Sequence, residues 1–192
     1  VIIIGKLNFW ESQARISVQV FDIRASISTV LKKFELVSSK LLQEGLINNS
    51  LRRKLPKYPN SIGILTSVPS SALADMLRTA KERWPLTKMY IIPIPVQGDN
   101  SNELRCILSN LKQNKLALNA IVIARGGGRR EDLMMFDNEN IAREIATFPI
   151  PVITGIGHED DLTVADLVSD HRAATPTAAI VALLPSIAIE KN

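Results

Sequence analysis

The first part of the chain combines a two-residue period with a helical one. Residues 15–23 alternate apolar and polar side chains, which is typical of a half-buried strand. Residues 28–44 instead repeat apolar side chains every three or four positions up to Gly45, a common helix end. The basic, proline-containing stretch 51–59 predicts a linker. Strand, helix and linker therefore follow one another before the pattern changes.

Short Ile/Val-rich runs alternate with helical periods from Ser61 onward. Strands are predicted at 62–66, 89–92, 120–124 and 151–154, and helices from Ser70 or Ser71 to before Pro85, from Ser101 to about Lys115, and over 139–147. Continuous apolar strands that alternate with helices indicate an α/β fold, with a mostly parallel sheet and helices on both faces.

Three segments follow from these patterns. We expect residues 1–25 to be the end of a β-rich domain whose beginning lies outside this chain, residues 26–60 to be a helix and basic linker, and residues 61–192 to be an α/β catalytic domain.

Polar and glycine-rich segments follow the predicted strands. They are Thr66-Ser67, Gln97-Gly98, Arg125 to Gly128, and Gly155 to Asp161. In open parallel sheets, ligands bind outside the carboxyl ends of the strands. The sequence therefore predicts one site, built from several loops at one edge of the sheet.

The glycine loop Gly126-Gly127-Gly128 suits an anion. Without side chains, its N–H groups can face a phosphate, and the Arg125 guanidinium adds a fork matched to phosphate oxygens. A tight turn beside a solvated Arg125 is the structural alternative. The loop is not a P-loop, because no Gly-Lys-Ser/Thr follows at the right spacing. It does not match a dinucleotide-binding pattern either, because position 131 is Glu where that pattern needs Gly, so a nucleotide cofactor is disfavoured.

The segment from His158 to Asp161 places one imidazole beside three carboxylates. In a helical turn, His158 and Asp161 share a face, and the carboxylate can orient the imidazole as a general acid or base. The same groups could hold a divalent cation, or simply supply charge to a helix start. By pattern alone, a catalytic or binding role is not favoured over a solvated or structural one for Asp75, Arg129 and Arg172.

Composition and charge narrow the functional class. The chain is 46% hydrophobic with one cysteine, Cys106, which the helical pattern places where a thiol is usually buried. No apolar run is long enough to span a bilayer, so we expect a cytoplasmic protein without membrane contact. Residues 1–60 carry ten Lys/Arg against four Asp/Glu, and the rest carries thirteen against fifteen. A basic lead-in beside an acidic body suits a polyanionic substrate.

Together these motifs resemble the large subunit of exodeoxyribonuclease VII over nearly the whole chain. The residues that carry the resemblance are Arg125-Gly-Gly-Gly, Glu131-Asp-Leu, Phe136, Asn138-Glu139, Gly157-His-Glu-x-Asp161, Asp166, Asp170, Arg172-Ala173 and Thr175-Pro176, with Asp75 and Val96-Gln-Gly98 before them. Two positions depart from the family pattern. Arg129 stands where the family usually has Ser, and Ser70 stands where it usually has Gly.

The resemblance implies an exonuclease that hydrolyses single-stranded DNA to oligonucleotides from either end. It implies that residues 1–25 are the remnant of an oligonucleotide-binding β-barrel, and that C-terminal helices missing here bind several copies of a small subunit. Asp75, Arg125, His158 and Asp161 fall on the family's active-site positions. Gly126, Gly127, Gly128, Arg129 and Arg172 are then expected to contact phosphate or DNA. No cofactor is obligatory, although Mg2+ could take part.

Two other hypotheses follow from the same residues. The chain could be a DNA-binding or assembly module without catalysis, which the departures at Ser70 and Arg129 would favour. It could also be a metal-dependent phosphoesterase that uses Asp75, Asp160 and Asp161.

Overall fold

A two-stranded antiparallel sheet forms the N-terminal part of the structure, a computed structural model that describes residues 2–10, 15–24, 27–95, 100–113, 116–158 and 160–190. Strand β1 (Ile2–Trp10) pairs with β2 (Arg15–Arg24). Large apolar side chains on both strands are exposed, among them Leu7 at 71% and Phe9 at 63%. Two strands with uncovered apolar side chains are marginally stable alone. The origin of this ribbon in a β-barrel stays a prediction.

The second sheet has five parallel strands in the order β4-β3-β5-β6-β7. Its strands are β3 (Ser61–Thr66), β4 (Lys88–Pro93), β5 (Ala120–Arg125), β6 (Val152–Ile156) and β7 (His171–Arg172). The helices are α1 (Ile27–Gln43), α2 (Ser71–Arg83), α3 (Ser101–Gln113), α4 (Glu139–Ala146), α5 (Val164–Val168), α6 (Pro176–Leu183) and α7 (Ile187–Glu190), with 3-10 helices at Asn49–Leu51 and Arg130–Asp137. The predicted α/β fold with a parallel sheet is confirmed.

Side chains of the central strands fill two cores, one on each face of the sheet. On one face they pack with α2 and α6; the members include Ile62, Ile64, Met76, Val122, Ile180 and Leu183. On the other face they pack with α1, α3, α4 and α5; the members include Leu41, Leu65, Leu104, Ile121, Ile123, Ile141 and Val164. Helices therefore cover both faces, as the continuous apolar strands require.

A buried carboxylate fastens the segment after α1 to the sheet. Asp170, just before β7, accepts hydrogen bonds from the backbone N–H of Arg53 at 2.6 Å and from the Arg53 Nε at 2.9 Å. It also accepts the N–H of Val152, the first residue of β6, at 2.7 Å. The side chain of Asp170 is 1% exposed and that of Arg53 is 25% exposed. Asp170 therefore has a structural role, because it joins Arg53 to the first residue of β6. The predicted domain division stays a prediction.

Some sequence-based expectations of local structure were wrong. Gly155 was expected to begin a loop, but it lies inside β6, where a Cβ would come within 2.8 Å of the Thr175 carbonyl oxygen. Cys106 is exposed on α3, so the expected burial of its thiol is contradicted. The 3-10 helix Arg130–Asp137 and the two-residue strand β7 were not predicted. Both depend on partners distant in sequence.

No helix in the described ranges is long and apolar enough to cross a membrane.

Replacing Asp170 with Ala should lower the free energy of unfolding by about 3 kcal/mol, because it leaves buried N–H groups and the Arg53 guanidinium without an acceptor. Chemical denaturation measures the loss. Glu139→Gln is the matched control, since it removes a carboxylate from the partly exposed contacts with Lys40 and Arg143. Equal losses for the two variants would contradict the anchoring role of Asp170.

Candidate active site

Three neighbouring strands end at the edge of the sheet where the site was predicted. Because β3, β5 and β6 are parallel neighbours, Thr66, Arg125 and Ile156 finish at the same edge. The segments that follow them are therefore next to one another. Gln97 and Gly98, expected at the end of the next strand, lie outside the described residues.

The Arg125 guanidinium folds back over the glycine loop. A Cβ added to Gly128 would lie 2.9 Å from Nη2 and 3.0 Å from Cζ of Arg125, so the absence of a side chain there allows the contact. Arg125 is 8% exposed. Its Nη1 is buried with no hydrogen-bond partner among the described residues, and its Nη2 lies 3.8 Å from Asp132 Oδ2. The guanidinium is held in place yet only weakly neutralised.

The His158 imidazole lies against the preceding glycine of the same loop. A Cβ on Gly127 would lie 2.9 Å from Nε2 of His158. The side chain of His158 is 68% exposed, so the ring stands at the surface with its Nε2 edge toward the glycine loop. The His158 imidazole and the Arg125 guanidinium thus pack on two consecutive glycines, Gly127 and Gly128.

Asp161 closes the turn that carries His158. Its Oδ2 accepts the backbone N–H of His158 at 3.1 Å and lies 3.5 Å from Nδ1 of the ring. The backbone N–H of Asp161 in turn donates to the His158 carbonyl at 3.0 Å. Gly157, with φ of +68°, makes room for the carboxylate, because a Cβ there would lie 2.9 Å from Oδ2. The turn places a carboxylate beside Nδ1 and leaves Nε2 for chemistry.

Asp75 lies on α2, one helical turn after Ala72. The Cβ of Ala72 would be 3.6 Å from a Cβ on Gly126, so the start of α2 contacts the glycine loop. The carboxylate of Asp75 is 47% exposed and forms an ion pair with Arg78 at 2.6 Å. The structure therefore brings Arg125, His158 and Asp161 together around the glycine loop. Among the described contacts, no hydrogen bond or ion pair joins Asp75 to these three residues, and its place in the site stays a prediction.

The described geometry also leaves room for a ligand. A cleft of about 500 Å3 opens at the carboxyl ends of β3 and β4, and its lining includes Ser67, Pro69, Pro93, Ile94, Pro95 and Glu103. It lies one strand away from Arg125, since β3 pairs with both β4 and β5.

Comparison with known protein families assigns this chain to one of them. A family model described as "Exonuclease VII, large subunit" matches residues 46–191, which include every residue of the site. The chain belongs to the exonuclease VII large subunit family.

Relatives of the family match the chain over nearly its whole length. A protein of Synechococcus sp. (strain CC9311) named exodeoxyribonuclease 7 large subunit is 61% identical over 97% of this chain and 48% of its own length. The protein of the same name from Parasynechococcus marenigrum (strain WH8102) is 60% identical over 96% of this chain and 48% of its own length. That of Legionella pneumophila (strain Paris) is 39% identical over 95% of this chain and 41% of its own length. The chain spans about half the length of these relatives.

The two departures from the exonuclease VII pattern have different surroundings. The Ser70 hydroxyl accepts the N–H of Leu73 at 3.1 Å and caps the start of α2, so this substitution has a structural reason. Arg129 is exposed at the end of the glycine loop, and its backbone N–H donates to Asp132 Oδ2 at 3.2 Å. Its expected contact with DNA stays a prediction.

The other predicted site residues are dispersed. Arg172 ends β7 opposite Thr154, two residues before β6 ends, and its charge acts on the buried Asp166. Asp160 is exposed, and Glu159 lies outside the described residues. In the parts of the chain that the structure describes, no three His, Cys, Asp or Glu side chains group closely enough to hold a metal ion.

Sequence reasoning missed the buried ion pair between Arg130 and Asp137. Arg130 Nη2 lies 2.6 Å from Asp137 Oδ2, and the side chains are 12% and 1% exposed. Burial raises the pKa of Asp137, while the charge of Arg130 and the N–H of Val164 act in the opposite direction. Residues seven apart share a face of an α-helix but lie about 120° apart in a 3-10 helix, so the sequence spacing did not predict this contact.

Alanine substitutions in the glycine loop should separate its three positions. Gly128→Ala should lower the free energy of unfolding by about 1–3 kcal/mol, since the new methyl group must displace a buried guanidinium. Gly127→Ala should cost much less, because the exposed imidazole can swing away. Gly126→Ala is the matched control, as its methyl group meets Ala72 at an ordinary contact distance. Denaturation curves that rank Gly126→Ala as the most destabilised would contradict this packing.

Asp166 should make the free energy of unfolding depend on pH in the acidic range. Burial raises its pKa above 3.8, against the opposing hydrogen bonds of Thr154 and Thr163 and the charge of Arg172. The stability that a raised carboxyl pKa contributes is present below the ordinary pKa and is lost as pH rises through the folded-state pKa. The free energy of unfolding of the wild type should therefore fall relative to that of Asp166→Asn as pH rises from 4 toward neutrality. Denaturant titrations test this, and a pH-independent difference would contradict it.

Proposed function

We propose that this chain is the catalytic part of an exonuclease that hydrolyses phosphodiester bonds of single-stranded DNA. The observation that carries the proposal is the packing of His158 and Arg125 on the consecutive glycines Gly127 and Gly128. A proton-transfer group and a phosphate-binding group thereby face the same bare backbone. Membership of the exonuclease VII large subunit family supports the reaction class.

A backbone phosphate of the DNA binds over the glycine loop. The N–H groups of Gly126, Gly127 and Gly128 have no acceptor among the described residues, and Nη1 of Arg125 lacks one as well. Of these donors Nη1 is the one that is buried, and a buried donor without a partner costs roughly 1–3 kcal/mol, which a phosphate oxygen would relieve. Because Asp132 is half-exposed and 3.8 Å away, its competition with a dianionic transition state is weak.

His158 moves the proton in hydrolysis. Asp161 lies beside Nδ1, which favours the tautomer that carries its proton there and leaves a lone pair on Nε2. Nε2 accepts a proton from water as the water oxygen bonds to phosphorus. The bond from phosphorus to the bridging oxygen breaks, and that oxygen takes up a proton from solvent as it leaves, while the imidazolium later returns its proton to solvent. Arg125 and the loop N–H groups stabilise the charge on the non-bridging oxygens.

Asp75 takes the complementary role on the α2 side. Its carboxylate positions water or exchanges the second proton, and its ion pair with Arg78 on the same helix fixes the orientation of the carboxylate. The cleft at β3 and β4, one strand away, provides room for nucleotides next to the scissile phosphate.

The properties of the whole enzyme come from the family resemblance. We propose attack from either DNA end with release of oligonucleotides, assembly with several copies of a small subunit, and no obligatory metal. Relatives about twice as long as this chain carry the name exodeoxyribonuclease 7 large subunit, which supports assembly as one subunit of a complex.

Single-turnover cleavage of an end-labelled single-stranded oligonucleotide tests the roles in the assembled full-length enzyme. His158→Ala and Arg125→Ala should each slow cleavage by roughly 100-fold or more. Gly127→Ala should slow it as well, because the methyl group displaces the imidazole. His171→Gln, which changes the second histidine of the chain on β7, should cleave at the wild-type rate.

Wild-type rates for His158→Ala and Arg125→Ala would reject the proposal. A wild-type complex that retains DNA without cleaving it would point to the binding module instead. Loss of all cleavage in EDTA, restored by Mg2+, would favour the metal-dependent phosphoesterase.

A further inference from the structure

The buried ion pair between Arg130 and Asp137 lies beneath the two loops that form the site. Arg130 comes two residues after the last glycine of the loop and begins the 3-10 helix, and Asp137 ends that helix. The pair therefore spans the helix that leads away from the phosphate-binding loop. Its two side chains are at least about nine-tenths buried.

Both members of the pair also hold the segment that follows Asp161. Arg130 Nη2 donates to the carbonyl of Leu162 at 3.2 Å, and Asp137 Oδ1 accepts the N–H of Val164 at 3.0 Å. Leu162 is the residue next to Asp161, and Val164 begins α5. The pair thus connects the segment that follows Arg125 and the glycine loop with the segment that follows His158 and Asp161.

A third contact of the guanidinium is with an aromatic ring. Cζ of Arg130 lies 5.7 Å from the ring centroid of Phe34 on α1. The ring, the carboxylate and the carbonyl together give the guanidinium a defined position. A direct link between the loops is also present, since the N–H of Gly157 donates to the Arg125 carbonyl at 3.3 Å, but it lies at the ends of the strands and does not hold residues 158–161.

We propose that Arg130 and Asp137 are positioning residues, whose buried ion pair sets the distance of His158 and Asp161 from Arg125 and the glycine loop. This inference rests on the proposed function. Neither residue has to touch the substrate. Their effect is on the alignment of the proton-transfer group with the bound phosphate, and a displacement of about 1 Å in a catalytic group can cost about 100-fold in rate.

The position of the pair predicts a particular kinetic signature. Arg125 ends the fully buried strand β5, and the glycine loop follows it directly, so we expect both to keep their places when the pair is broken. His158 and Asp161 follow β6 on a turn that depends on residues 162–164. Loss of the pair should therefore lower kcat and leave KM nearly unchanged.

The test uses the assembled full-length enzyme and an end-labelled single-stranded oligonucleotide. Asp137→Asn, which keeps the shape of the side chain and removes its charge, should lower kcat by about 10- to 100-fold with KM within about two-fold. Arg130→Lys, which keeps the charge but loses the planar fork, should give a smaller fall in kcat. The matched control is Ile145→Val, a buried position on α4, which lowers stability without touching either loop.

The outcomes separate this inference from the proposed function. If His158→Ala cleaves like the wild type in the same assay, the proposed function fails, and this inference fails with it. If His158→Ala is inactive while Asp137→Asn falls no further in kcat than Ile145→Val, the pair is structural only and this inference alone is overturned. Should Asp137→Asn fail to assemble, Arg130→Lys decides: a wild-type kcat overturns the inference, and a reduced kcat at unchanged KM supports it.

Discussion

The parallel pairing of β5 with β6 is the constraint on which the rest of the site depends. Arg125 lies opposite Ile156 in this pairing, and the N–H of Gly157 donates to the Arg125 carbonyl. Neighbouring parallel strands are about 4.8 Å apart, so the residues that follow them must leave the sheet side by side. This pairing brings the glycine loop and the His158 turn together at one edge, and the contacts of the segments that follow them set the final positions of the side chains.

Glycine serves this site mainly through close approach and only once through an unusual backbone angle. Gly127 and Gly128 allow the imidazole and the guanidinium to lie directly on the main chain, where a Cβ would overlap them. Gly157 has the positive φ of +68° that starts the turn toward Asp161. The loop thus presents bare main chain to the imidazole and the guanidinium, the two groups that we propose act on a phosphate.

The charged groups around the site differ in how close their counterions lie. Arg53 with Asp170, and Arg130 with Asp137, are buried ion pairs that hold main-chain segments in place. Arg125 is similarly buried, yet the carboxylate that faces it, Asp132, is 3.8 Å away. At the same edge, Thr66 Oγ1 is buried without a hydrogen-bond partner among the described residues. Buried polar atoms without such a partner also occur elsewhere in the described chain, among them atoms of Arg83, Arg130, Asp137 and Asp166, so the two at this edge support a ligand only together with the geometry of the glycine loop.

The sequence by itself determined the α/β class, the four long strands, the helix starts at Ser71 and Ser101, and the strand-end segments that carry Arg125 and His158. The strands and helices follow from periodicity, which acts over a few neighbouring residues. The common position of the strand-end segments follows from the rule that ligands bind at the carboxyl ends of parallel strands, which holds for the whole sheet. The tertiary structure decided what depends on partners far apart in the chain. Asp170 binds both Arg53 and Val152 just before β7, and Gly155 lies in β6 against the start of α6, contacts that no local pattern shows. Likewise, no spacing in the sequence shows that Arg130 and Asp137 face each other, because that contact forms only when α1, the 3-10 helix and α5 are packed together.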